Sequence, residues 1–203
     1  MSYEMMQNNK VYITGTVVGE PIFSHEILGE GFYEVAVAVK RLSGQSDDIP
    51  LTISERLLED RKLQIGELIG VSGQLRSYNK ITGAKSKLVL RVFVRELDEG
   101  DIENPNNIEI EGFICKPPIY RVTPFKREIT DMLVAVNRAY NKSDYIPAIA
   151  WGRNARFAGG FNVGDKVKLS GRIQSRLYQK QLEDGVIEER TAYEVSVGKL
   201  ELL

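Results

Sequence analysis

The sequence predicts an all-β protein made of two tandem five-stranded barrels, each with one short helix between strands 3 and 4. Two observations carry this prediction. The chain repeats itself at a fixed offset of 97 residues, and each repeat consists mostly of short runs in which apolar and polar residues alternate. A length of 203 residues accommodates two domains of about 100 residues each.

The repeat is clearest in one ungapped segment. Residues 34–56 align on residues 131–153 with nine identical positions out of 23, and the same offset pairs Gly15 with Gly112. Chance does not keep so many positions in register, turn-forming residues included. We therefore predict an N-terminal domain at residues 1–97, a short acidic linker at residues 98–106 and a C-terminal domain at residues 107–203.

Each element of the C-terminal half follows from its pattern. We predict strand 1 at 108–115 with a bulge or sharp coil at Gly112, a loop at Lys116–Arg127, strand 2 at Met132–Val136, strand 3 at Tyr145–Trp151, a helix at Asn154–Phe161, strand 4 at Val167–Ile173 and strand 5 at Tyr193–Leu200. This order matches the OB-fold barrel, whose ligand face is strands 2 and 3 with the loops after strands 1 and 4. An immunoglobulin-like sandwich needs about seven strands and no internal helix.

The composition argues against several classes of protein. His25 and Cys115 are the only residues of their kinds, so a zinc site of the usual His/Cys type cannot be assembled from this chain. No glycine-rich phosphate loop is present, and the acidic pairs Asp47-Asp48 and Glu188-Glu189 are typical of solvated loops. We expect no catalytic residues, no metal and no cofactor.

Apolar runs are short everywhere in the sequence, and none approaches the roughly 20 residues that cross a bilayer. The first ten residues also lack the apolar region of a signal peptide. We therefore expect a cytoplasmic protein without membrane contact.

Charge is unevenly distributed between the halves. The whole chain has a net charge of −1, but residues 1–106 sum to −4 and residues 107–203 to +3. Only the second half has a net positive charge, which binding to phosphate requires.

The C-terminal half combines aromatic rings with cations, as a sequence-tolerant binder of single-stranded nucleic acid requires. On strand 3, alternation places Tyr145, Ile149 and Trp151 on the outer face and a small apolar set in the core, namely Ile146, Ala148 and Ala150. The candidate binding residues are Arg138, Tyr140, Lys142, Tyr145, Trp151 and Arg153 around strand 3, and Arg172, Arg176, Tyr178 and Lys180 after strand 4. An acidic hairpin tip at Glu183-Asp184-Gly185 could fold over a bound strand.

Four stretches of the C-terminal half follow one another at a specific order and spacing: Ala135-Val136-Asn137-Arg138, Tyr145-Ile146-Pro147, Ala150-Trp151-Gly152-Arg153 and residues 169–176 (LSGRIQSR). In these stretches the C-terminal half resembles the bacterial single-stranded DNA-binding protein (SSB) family, tandem OB-fold form. The resemblance implies binding of single-stranded DNA in replication, recombination or repair. It also implies that Tyr140, Tyr145, Trp151 and Tyr178 stack on bases.

The N-terminal half has the same overall sequence pattern but lacks the aromatic side chains. Ser43, Asp48 and Ser54 align with Tyr140, Tyr145 and Trp151. We interpret it as a binding-impaired copy. The resemblance further implies a homodimer with four OB domains. The chain ends at Leu203 without the acidic tail by which most cellular members recruit replication proteins, which favours a role in a phage, plasmid or other mobile element. Two alternatives stay open: RNA binding, and a primosome-like protein-interaction module with weak or no nucleic-acid binding.

Overall fold

The computed structural model describes residues 7–82, 85–103, 105–181 and 185–203. The N-terminal half contains β1 (Asn9–Val17), β2 (Ile22–Ile27), β3 (Glu30–Lys40), β4 (Ser46–Ser54), α1 (Glu55–Asp60), β5 (Leu68–Thr82) and β6 (Lys85–Asp98). The C-terminal half contains β7 (Asn106–Ile114), β8 (Ile119–Val122), β9 (Glu128–Arg138), β10 (Lys142–Trp151), α2 (Arg153–Ala158), β11 (Lys166–Gln181) and β12 (Ile187–Leu202), with a single 3₁₀ turn at Ala139–Asn141.

Both halves close into five-stranded barrels with the same connectivity. In the first, β1 pairs with β5, β5 with β6, β6 with β4, β4 with β3, and β3 returns to β1. In the second, the equivalent circuit runs through β7, β11, β12, β10 and β9. Each helix lies between the third and fourth barrel strands. The prediction of two tandem OB-fold barrels is confirmed.

Each half also has a sixth strand outside its barrel circuit, which the sequence did not predict. The segment Lys116–Arg127 was expected to be a loop, but it contains β8, which pairs with β9 as the outermost strand of the sheet. The residues of β8 are all exposed, so no alternation of apolar and polar residues marks this strand in the sequence. The equivalent β2 is exposed throughout as well.

The barrel interiors follow the alternation expected for strand 3. Ile146, Ala148 and Ala150 on β10 are buried in the core, and cross-strand partners on β9 such as Met132 and Val134 join them. Burial of these apolar side chains stabilises each barrel by roughly 25 cal/mol for each Å² removed from water.

Gly112 lies just before the residues of β7 that pair with β9, and the register of β7 with β11 continues through it without a bulge. A Cβ atom at this position would lie 2.5 Å from the carbonyl oxygen of Ala135. We expect Gly112→Ala to lower the free energy of unfolding by about 1–3 kcal/mol through overpacking, measured by urea denaturation.

Gly19 provides a matched control for that substitution, because nothing lies within 4 Å of the Cβ that alanine would add there. Gly19→Ala should leave the urea midpoint almost unchanged. Equal losses at the two positions would show that backbone freedom rather than crowding explains the effect at Gly112.

The two barrels join edge to edge through antiparallel pairing of β1 with β7, which opposes Val11 to Ile108 and Asn9 to Ile110. All described strands thereby form one sheet. Between the barrels, the backbone N–H of Asp101 donates to Thr14 Oγ1 at 2.9 Å, so the acidic connecting segment is tied to β1. Asp101 itself is exposed.

A pair of aspartates with equivalent positions in the repeat reinforces this junction. Asp47 of the first barrel accepts hydrogen bonds from the backbone N–H and the Oγ of Ser175 in the second, both at 2.7 Å. Asp144 of the second accepts one from the backbone N–H of Ser77 in the first at 2.8 Å. Both carboxylates are buried, at 1% and 0% exposure. The expectation that Asp47 belongs to a solvated loop was therefore wrong, because it depends on a partner 128 residues away.

Candidate nucleic-acid interface

The outer wall of the second barrel displays two aromatic side chains from β10. Tyr145 and Trp151 are 44% and 37% exposed, at opposite ends of the strand. Because side chains alternate along a strand, both rings lie on the face opposite Ile146, Ala148 and Ala150, as the sequence predicted. Ile149 shares their parity but is only 4% exposed, so its expected exposure was wrong: it pairs with Ser196 of β12, inside the sheet rather than at its rim.

Tyr140 lies in the 3₁₀ turn between β9 and β10, and its side chain is 79% exposed. Tyr140 and Asn141 both have positive φ angles, 60° and 53°. Left-handed backbone at a non-glycine residue costs of the order of 1–3 kcal/mol, and such residues cluster at functional sites. The turn thus holds an exposed ring in a backbone conformation that most L residues avoid.

The indole of Trp151 has a fixed orientation. Its Nε1 donates a hydrogen bond to Ser196 Oγ at 3.2 Å. Ser196 is also the cross-strand partner of Arg172 on β11, and paired residues project from the same face of a sheet. Ser196 therefore brings the aromatic ring and the guanidinium group to one place on the outer wall.

Cations from β11 extend this surface. Arg172, Arg176, Tyr178 and Lys180 alternate along one face of the strand. The guanidinium carbon of Arg176 lies 5.9 Å from the centroid of the Tyr178 ring, and Arg176 Nε is 3.7 Å from Glu194. Lys142, at the start of β10, and Arg153, at the start of α2, are exposed as well.

The β11–β12 hairpin carries an ion pair close to its turn. Arg190, the cross-strand partner of Tyr178, donates to Glu188, and this contact raises the pKa of the arginine and lowers that of the glutamate. The predicted acidic tip lies largely outside the described residues, which resume at Gly185.

Arg138 lies apart from the other candidate binding residues. Its Nη1 is 3.3 Å from Asp144 at the junction, and its side chain lines a cavity of the first barrel. We define the aromatic surface as Tyr140, Tyr145 and Trp151 with Lys142, Arg153, Arg172, Arg176, Tyr178 and Lys180. The cavity that Arg138 enters is a second cluster of rings and arginines, which sequence reasoning missed.

Two further findings bear on chemistry. Within the described ranges, no group of three or more His, Cys, Asp or Glu side chains is arranged to hold a metal ion. Neither of the α-helices in that part of the chain is long and apolar enough to cross a membrane.

Comparisons with known proteins agree with this geometry. Residues 105–203 match the sequence model of the Single-strand binding protein family. Wild-type single-stranded DNA binding protein from Thermus aquaticus is 21% identical with a TM-score of 0.73, and the match covers 96% of this chain and 92% of that one. A deletion mutant of the same protein gives equal identity and TM-score and is covered to 94%. The fold of both barrels is thus that of a known DNA-binding protein.

A third solved structure is similar over part of the chain. The N-terminal domain of PriB protein from Thermoanaerobacter tencongensis is 42% identical, with a TM-score of 0.41, and the match covers 45% of this chain and 96% of that domain. A search of curated proteins found no match.

Proposed function

We propose, from the premise that residues 105–203 match the single-strand binding protein family, that this protein binds single-stranded DNA without strong sequence preference. Bases stack on the aromatic surface of the second barrel, and its lysines and arginines contact the phosphates. The observation that carries the proposal is the exposure of Tyr140, Tyr145 and Trp151 on the outer wall rather than in the core.

Energetics support this assignment despite the nearly neutral chain. Each base that stacks on an aromatic side chain contributes about 1–3 kcal/mol, whichever base it is, because every base has a π-face. Three rings therefore contribute about 3–9 kcal/mol, to which the phosphate contacts add. The absence of hydrogen-bond readout explains why little sequence preference is expected.

The finer parts of the proposal concern the cellular role and the assembly. We place the protein in replication, recombination or repair. A homodimer would present four OB domains, and the exposed strands β2 and β8 at the two ends of the sheet offer unpaired edges on which two copies could associate.

The test is a titration of the intact chain with oligo-dT while the emission of Trp151, the only tryptophan, is recorded. We expect quenching that saturates. The logarithm of the binding constant should fall with that of the salt concentration, by a slope of about −0.7 for each phosphate neutralised. Unchanged emission at saturating oligonucleotide would contradict the proposal, and tighter binding of a matched oligo-rU would reassign the ligand to RNA.

A further inference from the structure

The strand that carries Tyr145 has one open side near its start. β10 pairs with β9 over its whole length, residues 142–151. On its other side, β12 pairs with it only at Ala148 and Ile149. Within the described residues, the first part of β10 therefore has a strand partner on one side alone. A strand segment held on one side has more freedom to move than one held on both.

The first barrel closes this open side through Ser77 of β5. The Oγ of Ser77 accepts a hydrogen bond from the backbone N–H of Tyr145 at 2.7 Å. The backbone N–H of Ser77 donates in turn to Asp144 Oδ1 at 2.8 Å. Ser77 is only 9% exposed, so water has little access to compete for these two bonds. One residue of the first barrel thus holds two consecutive residues of the second.

Asp144, directly before Tyr145, is anchored by further contacts. Its carboxylate is fully buried, with Arg76 Nη1 at 3.1 Å and Arg138 Nη1 at 3.3 Å. These ion pairs fix the side chain of Asp144 but not the peptide plane that follows it. The hydrogen bond from the Tyr145 N–H to Ser77 Oγ fixes that plane, and with it the direction in which the tyrosine ring leaves the strand.

The repeat supplies an internal comparison for this hydroxyl. Ser175 is equivalent to Ser77, and Asp48 is equivalent to Tyr145. The Oγ of Ser175 donates to the carboxylate of Asp47 at 2.7 Å, whereas the Oγ of Ser77 accepts from the strand backbone. Both carboxylates at the junction already have a serine backbone N–H as donor, so docking of the barrels does not require the second arrangement. The bond to the strand backbone occurs in the copy that has an aromatic ring.

We propose that Ser77 is a positioning residue of the aromatic surface: it holds the backbone at Tyr145 so that the exposed ring meets a base in a defined place. The inference rests on the proposed function, and it gives the first barrel a part in binding by the second. A ring that is already ordered loses less conformational freedom when a base stacks on it, which raises the affinity without any new contact.

The experiment is a double-mutant cycle on the intact chain, with wild type, Ser77→Ala, Tyr145→Ala and the combined variant. Each protein is titrated with oligo-dT of about 8 nucleotides, a length that one OB domain occupies, while the emission of Trp151 is recorded. We expect Ser77→Ala to weaken binding about fivefold when Tyr145 is present, as the loss of one pre-ordered side chain implies. In the Tyr145→Ala background it should change the affinity by less than about twofold, because the ring that it positions is gone.

Two variants serve as controls. Ser77→Thr keeps the hydroxyl and should bind within about twofold of wild type, and Ser72→Ala, elsewhere on β5, should bind as wild type. An equal loss from Ser77→Ala in both backgrounds would overturn the inference and leave the proposed function standing, since Ser77 would then support the whole fold rather than one ring. Absence of quenching in wild type would refute the proposed function, and the inference with it.

The motion of the ring can also be measured without DNA. A reporter with Tyr145→Trp and Trp151→Phe places the only tryptophan at 145, and its time-resolved fluorescence anisotropy records motion on the nanosecond scale. Adding Ser77→Ala should increase the amplitude of that motion. The same substitution should leave the anisotropy of Trp151 in the otherwise native chain unchanged, because Ser196 holds that indole. Unchanged motion at 145 would overturn the inference even if the affinity falls.

Discussion

Replacing Tyr140, Tyr145 and Trp151 together by alanine is expected to weaken binding to oligo-dT by about a thousandfold. Each lost stacking platform costs about 1–3 kcal/mol, and a combined loss of about 4 kcal/mol corresponds to three orders of magnitude. All three rings are at least one-third exposed, so their removal should leave both barrel cores unchanged. The measurement is fluorescence anisotropy of a labelled oligonucleotide, since the variant lacks tryptophan.

A second triple variant, with phenylalanine at the same three positions, provides the control. Phenylalanine keeps an aromatic face at each site, removes the two tyrosine hydroxyls and replaces the indole by a smaller ring without an N–H group. We expect its affinity to remain within about tenfold of wild type. If the phenylalanine variant binds as weakly as the alanine variant, polar atoms rather than stacked rings carry the binding.

The repeat and the alternation of residues were sufficient to predict the barrels and the outward rings of strand 3. Ile146, Ala148 and Ala150 could be assigned to the core because period-2 alternation depends only on neighbouring positions. The edge strand β8 could not be predicted, because its residues are exposed on both faces and β9 is its only partner among the described strands.

The position of Arg138 could not be predicted from the sequence, for a different reason. Its place beside Asp144 and in a cavity of the first barrel depends on how the barrels dock, and Arg76, which also pairs with Asp144, is 68 residues from that carboxylate in the chain. Phe93 lines the same cavity, and alignment with the second barrel does not predict it, because the residue at the equivalent register there is Ser196.

The second large effect is expected at the junction, where Asp47→Ala should lower the free energy of unfolding by about 3 kcal/mol at neutral pH. The substitution leaves Arg41 without its buried partner and removes the acceptor for Ser175. Asp48→Ala is the matched control, since the neighbouring side chain is exposed and should be neutral within about 0.5 kcal/mol. Urea denaturation monitored by circular dichroism measures both.

The pH dependence identifies the charge of Asp47 as the cause. Burial tends to raise the pKa of Asp47, but the hydrogen bonds from Arg41 and Ser175 outweigh it, so the pKa in the folded protein lies below its ordinary value. A depressed carboxyl pKa stabilises the fold at pH values above the unfolded pKa of about 3.9, and this contribution is lost as the pH falls through the folded pKa. The difference between wild type and Asp47→Ala should therefore be full at pH 7 and shrink in acid below that range. A difference of equal size at pH 7 and at about pH 2.5 would mean that packing around the side chain, and not its ionised carboxylate, holds the two barrels together.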